Sequence, residues 1–311
     1  MLRNLIRKGA LITVHFDQGK SFLLTALLPI SPPNVRIFLD IISEGECCCK
    51  WCMEWMEANG LDATKPEDRK KAAAHTIRRY YEQTTAAATS VNPDMPVFHN
   101  SGHIPVGRRD LLQYFSHLEL ESLPTGGWGY DHYPMSAKYV ATLGLDFLGM
   151  TGKFHTSWGE FGGFKHPNAL RYECGAMLAF GSKCSVGDQL HPDGEMDAST
   201  YGILGEAYAE VERKEPWCRD VRNVADVALL LAASLPGGNG RATDGDVGAN
   251  RVLLEGHFLY DIVDGDADFS SYRMVVVPDD ACIGPALQAK LDAYLAAGGR
   301  LFLCGRAGLT E

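Results

Sequence analysis

The chain has 311 residues, of which 46% are hydrophobic and 22% charged, and a formal net charge of −10. That is a globular composition, long enough for one large domain or two ordinary ones. No Lys/Arg run interrupts the acidity, which argues against nucleic acid, and the apolar run Ser21 to Ile30 is too short to span a bilayer, so no membrane is expected. Arg3, Arg7 and Lys8 before apolar residues faintly resemble a signal peptide, but His15, Asp17 and Lys20 interrupt the apolar region. Nine cysteines, four of them crowded at Cys47, Cys48, Cys49 and Cys52, do not form a secreted disulfide framework. A cytoplasmic protein is expected.

In residues 1–34 only Ala10 to Phe16 reads as a strand, and Ser31-Pro32-Pro33 is a break. Val35 to Ile42 is an apolar, β-branched run, a buried strand carrying one charge, Asp40. Lys65 to Ala88 is helical in composition, Met95 to His99 a strand, Val106 to Tyr114 a short helix and Leu118 to Glu121 a strand of period two. Helices follow at Met135 to Leu143, Asn168 to Phe180 and Ala198 to Glu212, with strands between them at Leu145 to Met150 and Lys183 to Gly187. This alternation predicts a parallel sheet wrapped by helices. Beyond Val221, an apolar run from Val224 to Ala233 meets a loop at Leu235 to Gly240. Strands are then expected at Phe258 to Val263, Arg273 to Val277 and Arg300 to Cys304. The helix Pro285 to Ala297 sets Leu287, Leu291 and Leu295 on one face, and Gly298-Gly299 stops it. This second α/β unit predicts a small doubly wound sheet. Three segments result: 1–34 unassigned, 35–218 and 219–311.

The chemistry concentrates at strand ends. In Phe115 to Pro134, the strand Leu118 to Glu121 breaks at Pro124, Gly126 and Gly127 into a loop with Trp128, Tyr130, Asp131 and His132. Aromatic faces cover the C–H patches of sugars, and Asp and His bond their hydroxyls. The other strands deliver Asp40; His99 and His103; His155, Trp158 and Glu160; and Asp188 and His191, while the opening strand offers Glu119 or Glu121. In a parallel barrel these ends converge on one face. Two carboxylates among aromatic groups form the set used in glycoside hydrolysis. Asp40 inside an apolar run is costly to bury without a role. Cys47, Cys49 and Cys52 have a thiolate spacing suited to zinc, with no fourth ligand evident nearby. Cys304 follows a strand but lacks a nucleophile-elbow pattern and reads as structural.

ESLPTGGWGYDHYP, TGKFHTSWGEFGGF and GDQLHPDGEMD resemble the barrel of glycoside hydrolase family 151, the α-L-fucosidases. CCCKWCMEWMEANGLD resembles the cysteine stretch after the fourth strand of that group and of the family 42 β-galactosidases, where such a cluster binds zinc. The stretch from Leu253 to Leu309 resembles the β-galactosidase trimerisation domain, an amidotransferase-like fold without amidotransferase chemistry. The resemblance implies an α/β protein with an incomplete (β/α)8 TIM barrel, about strands 4–8, plus a partial amidotransferase-like doubly wound α/β domain. It implies a retaining α-L-fucosidase acting on terminal fucose of oligosaccharides, with no cofactor required for catalysis and a homo-oligomeric parent, a trimer being one form expected. Asp40 is the implied nucleophile and Glu121 the acid/base, with Glu160 as the alternative. His99, His103, Trp128, Asp131, His132, His155, Trp158, Asp188 and His191 are the expected sugar-binding residues, and Cys47, Cys49 and Cys52 the expected zinc ligands. Other expectations are a β-galactosidase and a non-catalytic carbohydrate-binding or assembly fragment. Three further βα units need about 30 residues each, more than residues 1–34 supply. The chain therefore reads as a piece of a longer enzyme, aggregation-prone and weakly active when expressed alone.

Overall fold

The computed structural model of the protein describes residues 12–15, 36–189, 191–279 and 281–309. The rest of the unassigned segment, including Arg3, Arg7, Lys8 and the break at Ser31-Pro32-Pro33, lies outside them. The chain divides into two compact units: residues 1–102 with 111–117, and residues 103–110 with 118–311.

The first unit holds a three-stranded parallel sheet, β1 (Ile12–His15), β2 (Ile37–Asp40) and β3 (Val97–His99), in that order. β1 is the strand expected between Ala10 and Phe16. A parallel pair needs a long crossover, and between β2 and β3 it contains α1 (Lys50–Ala58) and α2 (Pro66–Val91). α2 begins with Pro66 in its first turn, beside Glu67 and Asp68, which suit the positive end of the helix dipole. Pro93 limits its continuation. Ala73, Ile77, Tyr81 and Ala88 recur at helical spacing, and Ile77, Tyr81 and Ala88 join Leu39, Ile42, Met95, Val97 and Leu111 in the core. α1 was not expected from composition. It buries Met56 completely and stacks Trp55 on His75 of α2 with centroids 4.1 Å apart. The expected helix Val106 to Tyr114 is a 3-10 turn confined to Arg109–Tyr114.

The second unit contains two parallel sheets. In one, β4 (Leu118–Glu121), β5 (Phe147–Gly152) and β6 (Lys183–Gly187) lie in chain order, with α3 (His132–Val140), α4 (Pro167–Ala179) and α5 (Ala198–Lys214) following them in turn. The other has the order β10-β9-β7-β8, made by β7 (Val227–Leu230), β8 (Tyr260–Val263), β9 (Met274–Val277) and β10 (Leu301–Leu303). That order places β8 on one side of β7 and β9 then β10 on the other, a reversal of direction at β7 as in a doubly wound sheet.

In this part of the chain one element is added to the expected set and one expectation is corrected. The stretch after Gly240 holds α6 (Asp244–Glu255). Gly245 and Gly248 lower its helix propensity, but a capping box compensates. The Thr243 hydroxyl accepts from the Asp246 N–H at 3.1 Å, and the Asp246 carboxylate accepts from the Thr243 N–H at 3.0 Å. On α7 (Pro285–Ala296) the third buried residue is Tyr294, not Leu295, which is 44% exposed. The apolar stripe follows i, i+4, i+7 because 3.6 residues per turn carry i+8 off the face.

The two sheets of this unit are bound together by buried polar contacts. Lys138 on α3 donates to the Tyr260 carbonyl at 2.8 Å and lies 4.1 Å from that ring's centroid. Fully buried Asp264 accepts from Arg109 at 2.7 Å and from the Tyr139 hydroxyl at 3.0 Å.

Candidate active site

In the first unit Asp40 ends β2. Its Oδ1 accepts from the Ile41 N–H at 2.9 Å and from Asn100 Nδ2 at 2.8 Å. Ile41 adopts φ 57°, a left-handed conformation that β-branched residues rarely enter, with its side chain 71% exposed. Strain at such a position persists when surrounding structure enforces it, and it clusters at functional sites. Here it turns the chain sharply just past the carboxylate.

His99 ends β3 but points into the core, 1% exposed. Tyr80, Tyr81 and Phe115 surround its ring edge-on, and Nε2 is 3.0 Å from Thr85 Oγ1. Burial pushes its pKa down to about 4 from 6.5. Unfolding in that interval takes up a proton that the folded state refuses. Stability is therefore complete above pH 6.5 and falls as the pH drops toward 4, by up to about 3 kcal/mol for a change of this size. Denaturant titrations of wild type and His99→Gln at pH 7 and pH 4.5 check this: the variant should lose less stability on acidification.

In the second unit the loops after β4, β5 and β6 gather most of the expected residues. Trp128 and Trp158 stack with centroids 6.4 Å apart and planes 23° from parallel. Trp128 meets the His132 ring edge-on at 5.0 Å, and Phe154 backs Trp158 at 5.7 Å. His132 begins α3, and its Nδ1 is 3.2 Å from the Ser122 hydroxyl. Burial lowers the His132 pKa, Asp131 opposes the effect, and the nearby His103 adds to it, so the ring is held neutral. His191 meets Phe161 edge-on at 5.9 Å. Asp188 follows β6 and accepts from the Gln189 N–H at 2.7 Å, while Gln189 Nε2 donates to the Gly159 carbonyl. A bond from the Lys165 N–H to the Lys153 carbonyl, 2.7 Å, closes the base of the loop that carries His155, Trp158 and Glu160. Gly152 lets this loop leave the strand: a Cβ there would lie 2.2 Å from the Phe154 ring.

The carboxylates differ in setting. Glu119 is buried in mid-strand, whereas Glu121 stands half-buried at the C-terminal end of β4. Glu160 faces its own loop: it accepts from the N–H groups of Thr156 at 2.8 Å and His155 at 3.2 Å, and from the Thr156 hydroxyl at 3.0 Å. The Thr156 N–H, with these other donors, holds its pKa down. Asp131 pairs with Arg251 on α6 at 2.7 Å, which lowers its pKa.

A buried triad beneath this region had no sequence signal of its own. Lys165 Nζ donates to Glu173 Oε2 at 2.6 Å and to Thr151 Oγ1 at 2.8 Å, and Thr151 donates to the same carboxylate oxygen at 2.6 Å. The lysine and glutamate side chains are 0% and 4% exposed. Arg251 was missed with α6.

No protein-family model and no curated protein matches the chain. Among solved structures it is similar to α-L-fucosidase isoenzyme 2 from Paenibacillus thiaminolyticus, with 51% identity and a TM-score of 0.83, over 88% of this chain and 42% of that one. It also resembles the β-galactosidase of Bacillus circulans sp. alkalophilus (14% identity, TM-score 0.70, 89% of this chain and 52% of that one). A third likeness is to Gan42B, a GH42 β-galactosidase from G. stearothermophilus (15% identity, TM-score 0.66, 87% and 52%). The chain thus spans about half or less of the length of these proteins, and the two β-galactosidases, at their low identity, show the fold alone. It is a mixed α/β chain with parallel sheets, of a partial TIM-barrel-like glycosidase fold, and at 51% identity its likeness to an α-L-fucosidase extends from fold to sequence.

Proposed function

We propose that this chain is part of a retaining glycoside hydrolase that removes terminal α-L-fucose from oligosaccharides. The observation that carries the reading is the 51% identity to an α-L-fucosidase over 88% of the chain. The stacked indoles of Trp128 and Trp158 beside His132 support it, since such a surface suits a sugar ring. In this reading Asp40 attacks the anomeric carbon to form a glycosyl-enzyme, and Glu121 protonates the leaving oxygen and then activates water. Glu160 is the weaker choice for acid/base: three donors hold its carboxylate charged, and a general acid needs its proton near neutral pH. His103, Asp131, His155, Asp188 and His191 complete the proposed sugar-binding set, with Asp131 acting through its neighbours, whereas His99, expected in that set, is a core residue 1% exposed.

Hydrolysis of an aryl α-L-fucoside, compared with an aryl β-D-galactoside, tests this. Fucoside turnover with retention of configuration is expected. Preference for the galactoside would establish a β-galactosidase, and sugar binding without turnover a non-catalytic fragment.

The fold reading extends to a partial (β/α)8 barrel over residues 35–218 and a partial amidotransferase-like domain over 219–311, the latter supported by the order β10-β9-β7-β8. By the same reading the enzyme is a cytoplasmic homo-oligomer, with a trimer expected. All nine cysteines are free, and among the described residues no helix is long and apolar enough to cross a membrane.

We also assign a structural zinc to Cys47, Cys49 and Cys52, with catalysis itself needing no cofactor. Their sulfur atoms lie within 4.8 Å of one another. The Cys52 N–H and the neighbouring thiols lower the Cys49 pKa, whereas burial and the other two sulfurs push Cys52 up to about 12. A cation would relieve that mutual repulsion. The set supplies three of the four ligands a tetrahedral zinc takes, with no fourth Cys, His or carboxylate joining it among the described residues. Elemental analysis of protein purified without chelator should find close to one equivalent of zinc, and Cys49→Ser should lose it. Less than a tenth of an equivalent in wild type would end the assignment.

A further inference from the structure

The loop between β5 and α4 braces Phe161 and leaves its ring open to solvent. Lys153, which is buried, donates through Nζ to the Phe161 carbonyl at 3.2 Å. Just before Phe161, the Glu160 carboxylate accepts from the N–H groups of His155 and Thr156. Just after it, Gly163 leaves room for that carboxylate: a Cβ there would lie 2.4 Å from the carboxyl carbon. Gln189 Nε2 ties the Gly159 carbonyl to the segment after β6. Phe161 is nevertheless 58% exposed, and among the described residues its ring meets only His191, edge-on at 5.9 Å. An edge-on contact covers at most one face of a ring, so the other face of Phe161 is open. A ring already fixed in place binds a flat apolar surface without an ordering cost of its own. Exposure also rises along this stretch: Trp128 is half-buried, Trp158 is 39% exposed and Phe161 more so. The terminal sugar of an oligosaccharide goes deepest into such a site, and the remainder points back toward solvent. Trp158 and Phe161 are three residues apart, so their Cα atoms lie within about 11 Å of each other, a span that two linked pyranose rings cover.

We propose that Phe161, with His191 against it, is the platform for the second sugar of the substrate, the pyranose to which the fucose is attached. This rests on the function proposed above and narrows its substrate class. The fucose is joined to a pyranose whose C–H face stacks on the open face of Phe161. A fucose joined directly to a protein side chain would leave that face uncovered. Phe161 is then a specificity-determining residue: it holds the leaving group and takes no part in the bond that breaks.

The test assays the 311-residue chain on α-L-fucosyl fluoride and on fucosyllactose, in the linkage isomer turned over fastest. With the first, the C–F bond breaks and fluoride leaves, so the leaving group is too small to reach the platform. With the second, a lactose unit leaves. Phe161→Ala should raise KM for fucosyllactose roughly tenfold with kcat little changed, because the ring contacts a part of the substrate that does not react. Its kcat/KM on the fluoride should stay within about twofold of wild type, which also shows that the variant folds. Phe161→Tyr should keep the wild-type KM, and Phe161→Leu, apolar but without a flat face, should behave like Phe161→Ala. An equal change on both substrates, an unchanged KM for fucosyllactose in Phe161→Ala, or a wild-type KM in Phe161→Leu would overturn the platform and leave the fucosidase reading in place. So would a wild type that hydrolyses the fluoride and none of the fucosyllactoses. A wild type inactive on both substrates would overturn the fucosidase reading and the platform with it.

Discussion

Asp40→Asn should lower kcat on an aryl α-L-fucoside by roughly 10⁴-fold or more, the scale seen when a nucleophile is removed from a working catalytic set. The amide keeps the size and can still accept from the Ile41 N–H and Asn100, contacts of 2.9 and 2.8 Å, so the fold should survive unchanged. What is lost is the negative charge that attacks the anomeric carbon. A smaller variant, Asp40→Gly, gives a further readout. With azide present, the azide nitrogen bonds to the anomeric carbon while the aryl oxide leaves. Turnover should partly return with fucosyl azide as product. Glu121→Gln should respond differently, losing more activity on substrates with poor leaving groups than on activated aryl fucosides, since only the former need a proton donor. Wild-type turnover retained in Asp40→Asn would remove Asp40 from the chemistry and leave its strained neighbour Ile41 without a catalytic explanation.

Glu173→Ala should destabilise the chain by about 3–5 kcal/mol, the cost of leaving one member of a buried ion pair without its partner. Lys165 is 0% exposed at its side chain and makes its ion pair at 2.6 Å, so water cannot take over the role of the carboxylate. Burial already lowers the pKa of Lys165, with Glu173 acting against that shift. Removing the carboxylate leaves desolvation unopposed. The double variant Lys165→Met with Glu173→Leu should recover most of the loss, because well-packed apolar replacements of a buried pair are often neutral or better. Urea denaturation of wild type, Lys165→Met, Glu173→Leu and the double variant gives the coupling energy directly. A loss below about 1 kcal/mol in Glu173→Ala would mean the site relaxes to admit solvent.

Periodicity and punctuation in the sequence determined most elements. The two-residue alternation of Leu118 to Glu121 and the turn at Pro124 to Gly127 predicted β4 and its loop, and Leu118–Glu121 is the observed strand. The apolar run around Leu39 predicted β2, because a strand buried on both faces needs no polar alternation. α6 was not legible because Gly245 and Gly248 suppress a composition signal, while its stability comes from Asp246. That side chain accepts from Ala232 and Ala233 N–H groups in a different element as well as from Thr243. α1 was obscured by the cysteines at and just before its start, which drew the reading toward metal chemistry and away from the buried Met56.

The loops after β4, β5 and β6 could be named from sequence, because Trp, His and carboxylates at strand ends are a local pattern. Their individual settings could not be, since hydrogen bonds and burial depend on residues far away in the chain. Asp131 is engaged by Arg251, 120 residues on. His132 is neutral because it is buried, and Glu160 is turned into its own loop. Lys165 and Glu173 carry no signal at all until α4 brings them against Thr151 of β5. The sequence by itself determined the α/β alternation and the residue types offered at the strand ends, because both follow from local spacing. Only the tertiary structure decided which of those groups are charged, neutral or already bonded, because protonation and hydrogen bonding depend on desolvation and on partners that the fold alone brings within 3 Å.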